Sequence, residues 1–220
     1  TNTPANTPAN TPGTTPADTP PASLHDLGLC RPLLKAAAAL GWTQATPVQQ
    51  AVLPAALQGC DVRAQAPTGA GKTGAYVLPL LNPLLASPEP LTRRPLRLHA
   101  LVLVPTRELA AQVRDTVRSL APQLRTVLAT GGASINPQLM ALRGGAQVLV
   151  ATPGRLLDLH RHNAPLGLRQ LRLLVLDEAD RLLDLGFADE VGQVLALLPP
   201  RRQTLLLSAT WSPAVLALAD

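Results

Sequence analysis

Two short runs of the sequence carry residues suited to the chemistry of nucleoside triphosphates. The first, residues 66–73, reads Ala-Pro-Thr-Gly-Ala-Gly-Lys-Thr. Gly69 and Gly71 allow backbone N–H groups to close around phosphate oxygens, and the helix that follows presents its positive end. Lys72 is placed to reach the β and γ phosphates, and the Thr73 hydroxyl to bind Mg²⁺. The run predicts a phosphate-binding turn, although alanine replaces the first glycine of the usual pattern; a glycine-rich turn without a ligand is the alternative.

The second run, Asp177-Glu178-Ala179-Asp180, directly follows the apolar residues 173–176. A carboxylate at the end of a buried strand, such as Asp177, can hold a metal ion through its water shell. Glu178 would then orient or deprotonate the attacking water. An acidic run alone is more often a solvated turn, but its place after an apolar strand favours a magnesium and water site.

A third candidate lies upstream, in residues 41–49. The amide of Gln49 offers both a donor and an acceptor, which can pair with the edge of adenine and reject guanine. Taken alone, Gln49 is equally an ordinary glutamine on a helix surface. Its assignment to base recognition therefore depends on the motifs around it.

Strands and helices that alternate from Ser23 onward must position these residues. Apolar runs suited to buried strands alternate with segments of helical period, which predicts an α/β fold, doubly wound, with a mainly parallel sheet and helices on both faces. Ligands of such sheets bind at the carboxyl ends of the strands. The predicted strands are 62–65, 100–104, 125–129, 147–150, 173–176 and 204–207, and the predicted helices include 107–120 and 153–162.

The start of the chain has a different composition. Residues 1–22 repeat a Thr-Pro-Ala-Asn theme with almost no charge and few large apolar side chains, so they cannot offset the entropy of ordering. We predict a disordered tail that serves as a passive linker, followed by one domain over residues 23–220. Because the chain begins at Thr1, we also expect it to be a fragment.

Composition limits the partners and the compartment. The formal net charge is +5, which favours a polyanionic partner, although arginines scattered over solvated helix faces would give the same total. Cys30 and Cys60 are too few for a disulfide framework or a zinc site, so a reducing, cytoplasmic location is expected. We find neither a membrane-spanning stretch nor a signal peptide.

Together these motifs resemble the DEAD-box family of ATP-dependent RNA helicases, specifically the first of the family's two RecA-like domains. The resemblance covers residues 23–220. Residues 41–49 resemble the family's Q motif, 66–73 motif I, 105–110 motif Ia, 131–132 the glycine doublet, 152–155 motif Ib, 177–180 motif II and 208–210 motif III. Seven matches in the family's order are highly specific.

The resemblance implies an RNA helicase and ATP hydrolase that uses ATP and Mg²⁺ and binds the sugar-phosphate backbone of RNA. It implies catalytic roles for Glu178, Asp177 and Lys72, with Thr73 and Asp177 near Mg²⁺. The implied nucleotide-binding residues are Trp42, Thr46, Gln49, Thr68, Gly69, Ala70, Gly71, Lys72 and Thr73. The implied RNA-binding residues are Pro105, Thr106, Arg107, Gly131, Gly132, Thr152, Pro153, Gly154 and Arg155, and those implied to link the two sites are Asp180, Ser208 and Thr210.

Some physical features favour RNA independently of the resemblance. Thr152 followed by Pro153 is typical of a helix start, which directs free N–H groups at a phosphate, and Arg155 adds charge. The aromatic content of 2% argues against a platform for base stacking. We therefore expect contacts that read the backbone with little base specificity. Each feature alone also has a purely structural explanation.

Two departures from the family pattern have consequences. Leu24 stands where the family usually has an aromatic residue against adenine, so base affinity is expected to lose about 1 kcal/mol of stacking. The second RecA-like domain and its arginine motifs are absent from this chain. Since an arginine finger is worth roughly 10³ to 10⁵ in rate, the isolated chain should bind nucleotide but hydrolyse it poorly. Two alternatives are an RNA- or protein-binding module with vestigial ATPase residues, and a DNA-directed helicase or translocase.

Overall fold

The computed structural model describes residues 22–86 and 96–218. Within these ranges six strands form one parallel sheet, and nine α-helices pack on its two faces. The predicted doubly wound α/β fold is thus confirmed. The predicted disordered tail lies outside the described residues except for Ala22.

All six predicted strands are present, two with the predicted bounds and four shifted by one residue at one or both ends. Strands β2, β4 and β5 are buried along their whole length because helices cover both faces, which explains their continuous apolar sequences. The strands are β1 (Val62–Gln65), β2 (Ala100–Leu103), β3 (Thr126–Ala129), β4 (Val148–Ala151), β5 (Leu173–Leu176) and β6 (Gln203–Ser208).

The helices connect the strands in chain order. Their bounds are α1 (Arg31–Ala39), α2 (Pro47–Leu57), α3 (Lys72–Ala86), α4 (Arg107–Leu120), α5 (Asn136–Leu142), α6 (Pro153–Arg161), α7 (Ala179–Asp184), α8 (Ala188–Leu197) and α9 (Pro213–Ala217). The predicted helix 107–120 is α4, and the predicted helix 153–162 ends one residue earlier, at Arg161. Among the described helices, none has the length and apolar character needed to cross a membrane.

The hydrophobic core has two layers, one on each side of the sheet. Val102 and Val175 pack in the layer that contains residues of α1 to α4. Their chain neighbours Leu103 and Leu176 pack in the other layer, with residues of α6, α8 and α9. Successive strand residues point to opposite faces, so burial of both sets holds the strands rigidly between the helices.

The strand order across the sheet is β1-β6-β5-β2-β4-β3. Every pairing is parallel, so all six carboxyl ends lie at one edge. Strands β1 and β5 are the two neighbours of β6, and adjacent strands are about 4.8 Å apart. The loops after β1 and β5 therefore begin within roughly 10 Å of each other.

His99, immediately before β2, should make stability depend on pH. Burial, and secondarily the charge of Arg172, lowers the pKa of His99 from 6.5 to about 4. Below about pH 6.5 His99 is protonated in the unfolded chain but stays neutral in the folded domain. The free energy of unfolding therefore falls as the pH drops from 6.5 towards 4. We expect His99→Gln to remove about 2 kcal/mol of this loss at pH 5.

Chemical denaturation of wild type and His99→Gln at pH 7.5 and pH 5 measures this effect. The difference between the two proteins should change with pH, because other titrating groups are common to both. An identical pH dependence would show that His99 is protonated as readily in the folded domain as in the unfolded chain.

Candidate functional site

The candidate site is the edge where the strands end. Residues 68–73 of the predicted nucleotide site follow β1, and Asp177 and Glu178 follow β5, whereas Trp42, Thr46 and Gln49 lie before β1. The residues predicted to bind RNA follow β2, β4 and β3. Ser208 ends β6, between β1 and β5. The strand order therefore separates the residues predicted to bind nucleotide from those predicted to bind RNA, and the two parts of the edge are called here the nucleotide half and the RNA half.

The turn between β1 and α3 has the geometry of an anion-binding loop. Gly69 and Gly71 have φ angles of +84° and +90°, a region that glycine adopts readily. A Cβ added to Gly71 would lie 2.7 Å from Thr46 Oγ1, so a side chain cannot fit there. Lys72 is 7% exposed, and its Nζ is buried without a hydrogen-bond partner among the described residues. Because a buried cation is costly unless it is paired, Lys72 is suited to bind an anion.

Asp177 directly follows β5 and lies close enough to Lys72 for their charges to interact. Asp177 is 2% exposed, and its Oδ1 accepts a hydrogen bond from Glu178 N at 2.9 Å. Burial raises the pKa of Asp177 to about 6, although Tyr76, the positive charge of Lys72 and the Glu178 N–H act in the opposite direction. The interaction between Lys72 and Asp177 places the phosphate-binding turn and the acidic run around one site.

Tyr76 is a polar residue in the otherwise apolar middle of α3. It is completely buried, and its hydroxyl lies beside Asp177 and Thr73 without a hydrogen bond of ordinary geometry. Burial, followed by the Asp177 carboxylate, raises the pKa of Tyr76, so the hydroxyl stays protonated. It is available to donate to Asp177.

Gln49 is buried rather than on a helix surface. It is 6% exposed, its Oε1 accepts from Thr46 N at 3.1 Å, and its Nε2 donates to Gly71 O at 3.1 Å. One further hydrogen and one lone pair of the amide remain for another partner. Trp42, half-buried, lies close by: a Cβ added to Gly74 would be 3.4 Å from its Cζ3.

Leu24 lies beside the stretch 41–49 and is buried. It is 2% exposed and packs in the hydrophobic core, while its N–H donates to Thr43 O at 3.0 Å. Because burial of an apolar side chain is favourable, the position of Leu24 in the core is stabilised by the hydrophobic effect.

A hydrogen-bond network joins β6 to the start of α7. Asp180 Oδ2 accepts from both the N–H and the hydroxyl of Thr210 at 3.0 Å, and Asp180 N donates to Ser208 Oγ at 3.2 Å. Burial alone would raise the pKa of Asp180, but the hydrogen bonds from Thr210, Arg181 N and Ser208 lower it. Ser208 O also accepts from Ala66 N at 3.1 Å. The network thus connects the acidic run to the phosphate-binding turn.

In the RNA half, the loops after β2 and β3 meet. Thr106 begins α4, and its Oγ1 accepts from Leu109 N at 3.2 Å. Arg107 is exposed, and its Nη1 would lie 3.6 Å from a Cβ added to Gly132. The predicted glycine doublet and the arginine after β2 are therefore neighbours.

Arg155 has a different environment from the one expected. Thr152 and Pro153 do begin α6, although the Thr152 side chain makes no capping hydrogen bond. Arg155 Nη2 donates to Ala133 O at 2.8 Å, and its Nε and Nη1 are buried without hydrogen-bond partners in the described part of the chain. Arg155 thus ties α6 to the loop after the glycine doublet. Of the other predicted residues on these loops, Pro105 and Pro153 are buried, and a Cβ added to Gly131 or Gly154 would meet none of the described atoms within 4 Å.

A family comparison agrees with this geometry. The family model described as DEAD/DEAH box helicase matches residues 46–218. The chain belongs to the DEAD/DEAH box helicase family. The match includes every candidate residue above except Trp42 and Leu24.

Three relatives of this DEAD/DEAH box helicase chain are named as ATP-dependent RNA helicases. DEAD-box ATP-dependent RNA helicase 28 of Oryza sativa is 46% identical over 88% of this chain and 24% of the relative. The human probable ATP-dependent RNA helicase DDX27 is 46% identical over 90% of this chain and 26% of the relative. ATP-dependent RNA helicase DRS1 of Eremothecium gossypii is 42% identical over 88% of this chain and 26% of the relative. The chain spans about a quarter of the length of these proteins.

Two residues at the candidate site of this DEAD/DEAH box domain, Tyr76 and Arg181, are not predicted from the sequence. Tyr76 could have been found as the polar residue on the helix face that carries Lys72, one turn further along α3. Arg181 follows the acidic run and forms an ion pair with Glu178, Nη1 to Oε2, at 2.8 Å. Its spacing of three residues from Glu178 within one helical turn was the available signal.

Proposed function

We propose that this chain is the nucleotide-binding domain of an ATP-dependent RNA helicase. The observation that carries the proposal is the closeness of the Lys72 and Asp177 charges, which hydrogen bonds through Ser208 and Asp180 connect to the middle of the sheet edge. That arrangement can bind a polyphosphate, and its hydrogen bonds can transmit a change at the site to the neighbouring loops.

The nucleotide half supplies the groups that ATP hydrolysis needs. The remaining donor and acceptor of Gln49 would pair with adenine, and the unpartnered Lys72 Nζ would bind the β and γ phosphates. Glu178 would orient the attacking water and take its proton. A side chain at position 71 would clash with Thr46 and Gln49, so the turn requires glycine there.

The residues present also fit Mg²⁺. The buried carboxylate of Asp177 and the hydroxyl of Thr73 are oxygen ligands of the kind that Mg²⁺ accepts, and no cluster of three or more acidic, histidine or cysteine residues exists in the described part of the chain to hold a metal alone. An ion here would therefore share the phosphates. When bound, Mg²⁺ supplies charge neutralisation of the β and γ phosphate oxygens.

RNA would bind along the other half of the edge. Arg107 is exposed beside Gly132, and the nine-residue helix α6 starts at Thr152 without a side-chain cap, which leaves its first N–H groups available. These groups recognise phosphate and sugar, so little sequence preference is expected. Arg155 would act by holding the two loops together.

Duplex separation would require a second RecA-like domain that closes over ATP and RNA. If both ligands prefer the closed form, each strengthens the binding of the other, and hydrolysis would reset the pair. Cys30 and Cys60 are free thiols, which fits the cytoplasmic location that we propose.

The test is ATP hydrolysis by the complete gene product with single-stranded RNA, with DNA of identical sequence, and without nucleic acid. We expect RNA to raise kcat at least about tenfold and DNA to be much weaker, because the 2′-hydroxyl distinguishes them. ATP-dependent separation of a short RNA duplex is measured in parallel. Absence of any hydrolysis would favour a binding module with vestigial ATPase residues, and equal stimulation by DNA would favour a DNA-directed translocase.

A further inference from the structure

The carboxylate of Glu178 is held by one side chain. Glu178 Oε2 lies 2.8 Å from Arg181 Nη1, and the side chains are 10% and 57% exposed, respectively. Among the described residues, no other side chain forms a hydrogen bond with this carboxylate. The position of the carboxylate therefore depends on Arg181.

The backbone brings the two residues together at some cost. Glu178 has φ +50° and ψ +52° and precedes α7, the helix that contains Arg181. Among described non-glycine residues, only Asn163 also has a positive φ. A left-handed conformation costs roughly 1 kcal/mol or more in a residue with a side chain. The turn lets the chain pass from β5 into α7 and places Arg181 one helical turn from Glu178.

We propose that Arg181 is a positioning residue for hydrolysis, an inference that rests on the proposed function. Its guanidinium fixes Oε2 of Glu178, and the other oxygen, Oε1, receives the attacking water and its proton. The Glu178 carboxylate is thus held in one orientation before ATP and water arrive. Preorganisation of this kind matters because a small displacement of a group that acts on the attacking water slows the reaction strongly.

A second ion pair of the same spacing provides an internal comparison. Asp158 and Arg161 of α6 are 3.2 Å apart, but their side chains are 50% and 63% exposed. Exposed pairs of this kind contribute little, because water serves either partner equally well. Glu178, by contrast, is nearly inaccessible, so removal of Arg181 leaves its carboxylate without a fixed partner.

The experiment measures the steady-state, RNA-stimulated hydrolysis of ATP by the complete gene product. Wild type is compared with Arg181→Met, Arg181→Lys and Arg161→Met. We expect Arg181→Met to lower kcat about tenfold with KM for ATP and Kd for ADP unchanged, because only a group acting in the transition state loses its orientation. Arg181→Lys should restore part of the loss. Arg161→Met should behave as wild type. In a Glu178→Gln background, Arg181→Met should cause no further loss.

The outcomes are distinguishable. An active wild type with an equally active Arg181→Met protein would overturn the inference and leave the proposed function standing. A parallel loss in Arg161→Met, or an equal loss of ADP affinity in Arg181→Met, would show a general structural effect and would also overturn it. A wild type without hydrolysis would overturn both the inference and the proposed function.

Discussion

Replacement of Lys72 by methionine should lower the affinity for ADP about a hundredfold or more while leaving the ligand-free domain as stable as before. The Nζ of Lys72 is buried without a hydrogen-bond partner in the described structure, so the ligand-free protein bears the cost of its desolvation and gains little from it. A phosphate would remove that cost. Loss of one partner of a buried charge pair costs about 2–5 kcal/mol, and 1.4 kcal/mol corresponds to a tenfold change.

Lys35→Met is the matched control, because Lys35 is exposed on α1. Titration calorimetry with ADP gives the affinities, and thermal melting without nucleotide gives the stabilities. The control should match wild type in both. Lys72→Met should melt at an unchanged or slightly higher temperature, since methionine fills similar space without a charge. A large drop in melting temperature would mean that Lys72 supports the fold through Asp177.

The second large effect is expected for Glu178→Gln, which should lower kcat for ATP hydrolysis about 10²- to 10³-fold in the complete gene product. Glutamine has nearly the same shape but cannot accept the proton of the attacking water. Its amide can still interact with Arg181, so the loop should keep its conformation. ATP binding should therefore be retained, and the bound complex should persist.

Glu190→Gln serves as the control, because Glu190 lies near the start of a helix, α8, as Glu178 lies just before α7, but outside the candidate site. Single-turnover hydrolysis separates the chemical step from product release. We expect Glu190→Gln to match wild type. Unchanged single-turnover rates in Glu178→Gln would remove Glu178 from the reaction, and another group would have to activate the water.

The fold could be predicted because burial on both faces leaves a clear record in sequence. Strand β5 is apolar at all four positions, and so is β2, since each faces two helix layers. The ends of strands were less certain. A residue such as Val104 is fully buried and donates to Ala151 O, yet it lies just past the end of β2. Its hydrophobicity does not distinguish the last strand residue from the first loop residue.

The site was predictable only as far as its chemistry is local in sequence. Consecutive residues form the phosphate-binding turn and the acidic run, so their spacing alone identifies them. The partners of side chains are another matter. Arg155 donates to Ala133 O, 22 residues away, and Leu24 is buried in the core, because tertiary packing rather than neighbouring sequence determines both environments. Composition and periodicity carry no information about such pairings.

The hydrogen bond from Gln49 to Gly71 O has a consequence for attempts to change nucleotide preference. The same amide that would discriminate between purines also supports the backbone of the phosphate-binding turn, and it packs so closely on Gly74 that a Cβ added there would clash with its Nε2. A substitution at position 49 that favours guanine would therefore also lower the affinity for all nucleotides. Base preference and nucleotide affinity are therefore coupled through Gln49. A change in one without the other would require further substitutions among the residues that contact it, Thr46, Gly71 and Gly74.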